Sequence, residues 1–433
     1  MLCAFSHGGL DMRWLWWGCA GVLLGGSAGL WAFGRTDPVL PGLDRTLSQA
    51  LAAWQERTPD PDWRSRAQAW RADLQHPLLT QALQASWPPP ALPERAPQGR
   101  WVWVTDVAAL RTAFDQAQAG DVIELQAGDY PIAAYLQTPR AGRAAAPIVL
   151  RGRPGARLLA QGVMALKLTQ PYWVIEGLHI EGRCRNPADC EHAMQVAGDA
   201  HHSLIQANRL LNFNAAIKVN GERGRWPDHG RVQGNWLENQ APRPGDAPTV
   251  AFDLVGASAW TVEDNTVLGY VKGGGDHISY ALFMKGGGQG GRFLRNRVVC
   301  APRPGFQPGG FQIGISFGGG LTDPKLMRPN VADYEHLDGL AEGNTVLNCN
   351  DSSFDVNQSA GVVLRGNRFL GGGGVTVRGK EASAHAEANV GSAALHARRG
   401  NRLSVVSHQR WRPETEDAQA ALAELPQSPA TSP

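Results

Sequence analysis

Short apolar strands alternate with glycine- and asparagine-rich turns from about residue 130 to residue 405. Segments of the form apolar-x-x-Asn-x-apolar recur with spacings of 27, 30, 31, 48 and 23 residues, at Asn208, Asn235, Asn265, Asn296, Asn344 and Asn367. Gly177 holds the equivalent place in an earlier copy, and Asn389 in a fainter later one. Each unit contains a second short strand. Repeats of roughly 20 to 30 residues with several strands and no helix are typical of a β-solenoid.

The segment "ALFMKGGGQGGRFLRN", residues 281–296, contains one such turn of the repeat. We interpret "ALFM" as a solenoid strand, "GGGQGG" as its corner and Asn296 as a member of an asparagine ladder. Strands of successive coils stack about 4.8 Å apart. An asparagine repeated at one corner can therefore donate a hydrogen bond to one neighbour and accept one from another.

Alternation with a period of two predicts two outward columns across the second strands. One column contains Gln195, Lys218, Asp253, Phe283, Ser316, Asp355 and Thr376, and the other Ala197, Asn220, Val255, Lys285, Gly318, Asn357 and Arg378. This polar face of mixed charge would form a groove floor suited to a sugar chain. The candidate substrate-binding residues are Lys218, Asn220, Asp253, Asn357 and Arg378, with Trp226 as a stacking platform or, alternatively, as a packing residue.

The first hundred residues have a different character. Twenty uncharged residues, 14–33, could span a bilayer or form a cleaved export signal. We assign 1–38 to a targeting segment in or through the membrane, and 39–100 to a helical stalk and Pro-rich linker. The solenoid follows over 101–408, and a cap helix and disordered tail over 409–433. We expect an exported bacterial protein that is periplasmic, anchored in the inner membrane or secreted.

Composition narrows the possible partners. The chain carries 41 basic and 39 acidic residues, a net charge of +2, so no large field of one sign favours nucleic acid. Export would allow disulfides. Cys184 and Cys190 flank a short loop, whereas Cys300 and Cys349 hold similar places in adjacent coils, within the Cα separation that a disulfide requires. Reduced, buried thiols are the alternative.

Four segments carry a family resemblance: "VTDVAALRTAFDQAQAGDVIELQAGDY", "APIVLRG", "YWVIEGLHIEG" and "FMKGGGQGGRFLRN". They resemble the right-handed parallel β-helix superfamily of pectate lyases, in particular the branch of chondroitinase B and alginate lyases. The chain also resembles exported bacterial β-helix proteins of unsettled activity. The resemblance covers roughly 101–405 and implies an all-β, right-handed parallel β-helix with an N-terminal capping helix at 106–119.

Lyases of this superfamily cleave uronate polysaccharides by β-elimination, with a lysine as base, an arginine as acid and often Ca²⁺. Lys285 falls on the position of the base. The positions of the acidic Ca²⁺ ligands fall near Ile278 and Tyr280, and that of the arginine falls in "ISFGGG". A contact of Lys285 with a salt-bridge partner or with a substrate carboxylate is one alternative, because Asp253 lies diagonally one coil below and would favour the charged amine. A simple solvated corner is the other.

Two loops offer further groups for chemistry. "GGGDHISY" places Asp276 before the strand of Lys285, and "DYEHLDG" places Glu335, His336 and Asp338 in a long insert. We predict His336 as a proton donor and the three carboxylates as ligands of a possible calcium ion. Loops that hold themselves together by Asx-type hydrogen bonds are the alternative.

The expected function is that of an exported carbohydrate-active protein, a candidate lyase for acidic, uronate-containing polysaccharide. A non-catalytic glycan-binding or cell-envelope structural protein on the same scaffold is the alternative. A glycosidase pair of Asp253 and Asp355 is excluded, since three coils separate them by about 14 Å and inverting enzymes need about 6.5–9.5 Å. We expect a monomer.

Overall fold

A computed structural model describes residues 99–302, 306, 310–319, 322–329 and 333–410. The predicted targeting segment, almost all of the stalk and linker, and the C-terminal helix and tail lie outside these residues. Among the described residues, no helix is long and apolar enough to cross a membrane.

One α-helix, α1 (Val107–Asp115), follows the first strand, and Asp106 caps it by accepting a hydrogen bond from the amide of Ala109 at 2.8 Å. The helix lies within the predicted range 106–119 but ends at Asp115, before Gly120. Its buried side chains Leu110 and Phe114 pack into the apolar interior, where the Phe114 ring lies 4.9 Å from that of Trp173.

The other regular elements of the described residues are β-strands and one short 3-10 helix, Pro187–Asp189. The strands, in chain order, are β1 (Trp101–Val104), β2 (Val122–Leu125), β3 (Gly128–Ile132), β4 (Leu136–Gln137), β5 (Ile148–Gly152), β6 (Ala156–Ala160), β7 (Met164–Leu168), β8 (Trp173–Glu176), β9 (His179–Gly182), β10 (His192–Ala197), β11 (Leu204–Gln206), β12 (Arg209–Leu211), β13 (Ala215–Asn220), β14 (Arg231–Gln233), β15 (Trp236–Glu238), β16 (Thr249–Val255), β17 (Thr261–Glu263), β18 (Thr266–Leu268), β19 (Ile278–Lys285), β20 (Gly288–Gln289), β21 (Arg292–Leu294), β22 (Arg297–Val299), β23 (Phe311–Phe317), β24 (His336–Leu337), β25 (Leu340–Glu342), β26 (Thr345–Leu347), β27 (Ser352–Asn357), β28 (Ser359–Ala360), β29 (Val362–Arg365), β30 (Arg368–Leu370), β31 (Val375–Arg378), β32 (Ser383–Glu387), β33 (Asn389–Gly391), β34 (Leu395–Ala397), β35 (Arg402–Val405) and β36 (His408–Arg410).

These strands form three long sheets in which every pair is parallel, as well as one small sheet. The first sheet has the order β1-β2-β5-β8-β11-β14-β17-β21-β25-β29-β32-β35, and the second β3-β6-β9-β12-β15-β18-β22-β26-β30-β33-β36. The third, named the groove sheet below, has the order β4-β7-β10-β13-β16-β19-β23-β27-β31-β34. Successive coils contribute successive strands to each sheet. This parallel stacking fits the predicted right-handed parallel β-helix.

The small sheet corrects one detail of the sequence interpretation. The glycine-rich corner after Lys285 contains the two-residue strand β20, which pairs with β24 and, through it, with β28. The corner is therefore ordered by backbone pairing across three coils.

The asparagine ladder is confirmed. The side-chain amide of Asn208 donates to the side-chain oxygen of Asn235 at 2.9 Å, and the same contact links each asparagine to the next as far as Asn389. Each side-chain oxygen also accepts the backbone N–H of the preceding asparagine, as Asn265 does from Asn235 at 2.9 Å. The ladder thus satisfies buried backbone groups at a corner where no strand pairing does so.

Both predicted disulfides are present. Cys184 is bonded to Cys190 with a Cα separation of 5.6 Å, and Cys300 to Cys349 with a Cα separation of 5.0 Å. The first closes a loop within one coil and the second links adjacent coils.

Candidate functional site

The strand register of the groove sheet confirms both outward columns. Lys218 pairs with Gln195 below it and Asp253 above it, and Asp253 pairs with Phe283, which pairs in turn with Ser316. The second column runs through Asn220, Val255 and Lys285, and further on Asn357 pairs with Arg378. Lys285 is the last residue of β19 and lies at the edge of this floor.

A break in the alternation of β19 adds a residue to the floor that strict alternation does not predict. Tyr280 pairs with Val250 and Leu282 with Phe252, but Ala281 and Leu282 are both core residues. Two successive inward residues reverse the alternation on the N-terminal side of Leu282. Tyr280 therefore lies on the outward face, where its ring meets that of Phe283 edge-on at a centroid distance of 5.2 Å.

Lys285 has an apolar and partly enclosed environment. Its Nζ lies 5.0 Å from the centre of the Phe283 ring and donates to the backbone oxygen of Gly319 at 3.3 Å. Burial lowers the pKa of Lys285, the charges of Asp253 and Glu335 act in the opposite direction, and the charge of Lys218 lowers it further. The net direction is downward, as a lysine that acts as a base requires.

Asp253, the carboxylate expected to favour the charged form of Lys285, binds Lys218 instead. Asp253 Oδ2 accepts from Lys218 Nζ at 2.6 Å, directly across one strand pair. Asp253 Oδ1 is buried and accepts no hydrogen bond within the part of the chain that the structure describes. Lys218 keeps 22% of its side chain exposed on the floor. The predicted salt bridge of Lys285 is thus replaced by one of Lys218.

Farther along the floor, Arg378 is bound by a carboxylate of the same sheet. Its Nε and Nη2 each donate to Asp355 at 2.9 Å, and Asp355 is fully buried. Burial raises the pKa of Asp355, and the guanidinium opposes the shift. Arg378 lies three coils from Lys285, about 14 Å away. Asn220 accepts from Gln195 at 2.8 Å, and Asn357 lies beside Arg378 in the register.

The described residues of the long insert between β23 and β24 form a wall beside Lys285. Glu335 is buried there, and its carboxylate accepts from the amide of Gly286 at 2.9 Å and from the amide and hydroxyl of Thr322 at 2.7 and 2.6 Å. Arg328 donates to both carboxylate oxygens of Asp228 at 2.8 and 2.9 Å. These bonds attach the described part of the insert to the corners of neighbouring coils.

Trp226 belongs to this wall as a packing residue. The guanidinium of Arg328 lies 5.3 Å from the centre of its ring, and the ring packs against Gly221 and Gly256. A Cβ at Gly256 would lie 2.3 Å from the indole nitrogen, so the close approach requires glycine. One face of the ring is therefore occupied by Arg328, which favours the packing interpretation that the sequence left open.

The structure corrects the prediction that His336 acts as a proton donor. The residue is completely buried, its Nε2 accepts from the amide of Gly291 at 3.1 Å, and its ring packs 5.2 Å from that of Phe317. Burial lowers the pKa of His336 to about 3, so the imidazole is neutral. It faces the interior and cannot reach a substrate on the floor.

The predicted calcium ligands do not meet. Asp276 precedes β19 and pairs with Lys272 at 2.8 Å, whereas Glu335 contacts Gly286 at the other end of that strand, roughly 25 Å away. Asp276 also accepts the amide of Ile278, as the Asx-type alternative predicts. Among the described residues, no three His, Cys, Asp or Glu side chains are grouped to hold a metal ion, Asp338 included. These residues do not fit a calcium ion.

Comparison with solved structures supports the fold. The chain superimposes on the crystal structure of pectate lyase Pel9A with a TM-score of 0.52 and 11% identity, covering 76% of this chain and 86% of that one. The chain has the parallel β-helix fold of this pectate lyase. An alginate lyase from Paenibacillus sp. str. FPU-7 matches this β-helix with a TM-score of 0.39 and 15% identity over 72% of this chain and 99% of that one. No family model and no curated protein matches the sequence.

Proposed function

We propose that this β-helix is a carbohydrate-active protein that cleaves a uronate-containing polysaccharide by β-elimination, with Lys285 as the base. The observation that carries the proposal is the arrangement of two lysines around one carboxylate. Lys218 binds Asp253 at 2.6 Å, which leaves Lys285 on a groove floor without a carboxylate within the hydrogen-bonding contacts of the described residues. Neighbours of the same fold, among them a pectate lyase, agree with this class of substrate.

The chemistry requires one proton to be removed and another to be supplied. Neutral Lys285 takes the proton from C5 of the uronate, the electron pair of that bond forms the C4–C5 double bond, and the bond from C4 to the glycosidic oxygen breaks. The leaving oxygen takes a proton from an acid. Lys218, partly exposed two coils away, supplies positive charge toward the uronate carboxylate and so makes C5 more acidic.

Tyr280 is the proton donor in this proposal. Its ring and the Nζ of Lys285 both contact Phe283 and Gly319, so the two groups lie on one patch of the floor. Burial raises the pKa of Tyr280, which keeps its hydroxyl protonated at neutral pH. A phenol that stays protonated, on the same patch as an amine whose pKa is lowered, can act as the acid to the amine's base.

Export is part of the same proposal, since acidic polysaccharides of walls and capsules lie outside the cytoplasm and residues 14–33 have the length of an export signal or anchor. Calcium has no part in the proposed chemistry. The assay below includes a chelator, which tests the calcium prediction directly.

The test is an assay on alginate, chondroitin, dermatan and pectate, each with and without a chelator, that follows the ultraviolet absorbance of the unsaturated uronate. We expect turnover of at least one polymer by the full chain and none by Lys285→Ala. Full activity of Lys285→Ala, or inactivity of the wild-type protein on every polymer, would contradict the proposal. Affinity for a polymer without turnover would instead support the glycan-binding alternative.

A further inference from the structure

The outward column that contains Lys218 crosses the whole groove sheet. Strand register connects its members, which are Gln137, Lys167, Gln195, Lys218, Asp253, Phe283, Ser316, Asp355, Thr376 and His396. Of these ten residues only Phe283 is apolar, and its ring lies 5.0 Å from the Nζ of Lys285. The column is therefore polar on both sides of the proposed reaction centre, over five strands before β19 and four after it.

Two ion pairs of this face have a buried carboxylate and an exposed cation. Asp253 keeps 6% of its side chain exposed and Asp355 none, whereas their partners Lys218 and Arg378 keep 22% and 23%. The positive end of each pair is thus the end that meets the groove. An anionic sugar on the floor would meet the cation and not the carboxylate that holds it.

Both cations keep N–H donors for a ligand. Arg378 donates from Nε and Nη2 to Asp355 at 2.9 Å, which uses two of the five N–H donors of a guanidinium. Lys218 donates one of its three to Asp253 at 2.6 Å. Within the part of the chain that the structure describes, neither side chain makes another hydrogen bond. The remaining donors suit a sugar carboxylate, which accepts charge-assisted hydrogen bonds.

The two cations lie on opposite sides of Lys285. Lys218 belongs to β13, two strands before β19, and Arg378 belongs to β31, three strands after it. Because neighbouring strands are about 4.8 Å apart, these separations along the sheet are about 10 and 14 Å. A pyranose in an extended chain advances by a distance similar to one strand spacing. A polysaccharide that contacts both cations therefore presents an internal bond to Lys285.

We infer that Arg378 is a second carboxylate-binding site, opposite Lys218, and that the groove holds the polysaccharide on both sides of Lys285 and cleaves it at internal bonds. The inference rests on the proposed lyase function. Arg378 takes no part in the proton transfers. It binds a uronate of the chain that lies beyond the sugars at the bond that breaks.

The distribution of products at low conversion tests internal cleavage on the polymer that the assay above identifies. We expect unsaturated products of many lengths at the earliest times, with the viscosity of the polymer falling while the absorbance is still small. Short products of one size, formed with little change in viscosity, would overturn this inference and leave the lyase function intact. Absence of turnover on every polymer would overturn the lyase function and this inference with it.

Two matched double variants test Arg378 itself. Arg378→Gln combined with Asp355→Asn removes the site without leaving a buried carboxylate unpaired. We expect kcat/KM for an octasaccharide of the same polymer to fall about tenfold, as for the loss of a hydrogen bond to a charged group. A trisaccharide is too short to reach from Lys285 to Arg378 and should lose much less. Arg157→Gln with Asp129→Asn removes an exposed ion pair on another sheet and should leave both values unchanged. Wild-type values for both lengths in the folded Arg378 variant would show that Arg378 does not bind the substrate.

Discussion

Lys218 Nζ lies 2.6 Å from Asp253 Oδ2, and this contact decides the electrostatics of the neighbouring Lys285. Strand register places Asp253 within reach of either lysine. Because Lys218 binds the carboxylate, burial dominates at Lys285 and lowers its pKa. The groove therefore combines a fixed ion pair with an amine that loses its proton more easily than a free lysine.

Removing Lys218 and removing Asp253 should shift the pH dependence of turnover in opposite directions. In Lys218→Met the negative charge of Asp253 remains and raises the pKa of Lys285, so the rise of kcat/KM with pH moves to higher pH. In Asp253→Asn the rise moves to lower pH. Both substitutions also change the groove floor that contacts substrate, and this can change the size of kcat/KM. The pH at which kcat/KM rises is therefore the quantity to compare. Shifts of the same sign would contradict this account.

Replacing Tyr280 should affect the proton donated to the leaving oxygen. Tyr280→Phe keeps the ring against Phe283 and removes the hydroxyl, so kcat should fall about 10²- to 10⁴-fold. A uronate with a nitrophenyl ether at C4 needs little protonation of its leaving group and should lose far less. Equal losses on both substrates would assign Tyr280 a structural role.

The asparagine ladder should contribute strongly to stability. Asn265 bonds to Asn235 and Val232 in the preceding coil and to Asn296 in the following one. Asn265→Ala would leave these buried groups unpaired and lower the free energy of unfolding on the order of 3 kcal/mol. The exposed Gln240→Ala should cost no more than about 0.5 kcal/mol in the same urea titration. Equal costs would show that the ladder adds nothing specific.

His336 should make the fold sensitive to acid. Its pKa is about 3 in the folded protein, whereas an unfolded histidine titrates near its ordinary value of 6.5. As pH falls from about 6.5 toward 3, only the unfolded chain takes up this proton, so its contribution destabilises the fold by about 1.4 kcal/mol per pH unit. His336→Gln should show a shallower loss of stability over this window. Parallel curves for the two proteins would contradict the buried neutral histidine.

The two disulfides should differ in their effect on stability. The chain between Cys300 and Cys349 spans 49 residues, and that between Cys184 and Cys190 spans 6. Chain entropy predicts a loss of about 4 kcal/mol when the first pair is replaced by alanine and about 2 kcal/mol for the second. Denaturant titration of the two double variants measures the difference. A larger loss for the short loop would reverse the expected order.

The sequence by itself determined the stack of coils, because its signals are local and repeated. Alternation with a period of two predicted that Lys218, Asp253 and Lys285 face outward, and the spacing of the asparagines predicted the corner ladder. Cys300 and Cys349 could be paired from their equivalent places in successive coils. Each of these features depends on near neighbours along the chain or one coil away, so periodicity predicts it.

Only the tertiary structure decided the chemistry of the site. Two successive core residues, Ala281 and Leu282, brought Tyr280 outward, which a period of two cannot show. The insert carried His336 into the core and Glu335 into a buried hydrogen-bond network, although both belong to a polar loop in the sequence. That Asp253 binds Lys218 and not Lys285 likewise depends on side-chain distances, which the sequence does not give. A linear pattern does not contain burial, charge pairing or the path of a long insert, and these decide the direction in which the pKa of Lys285 shifts.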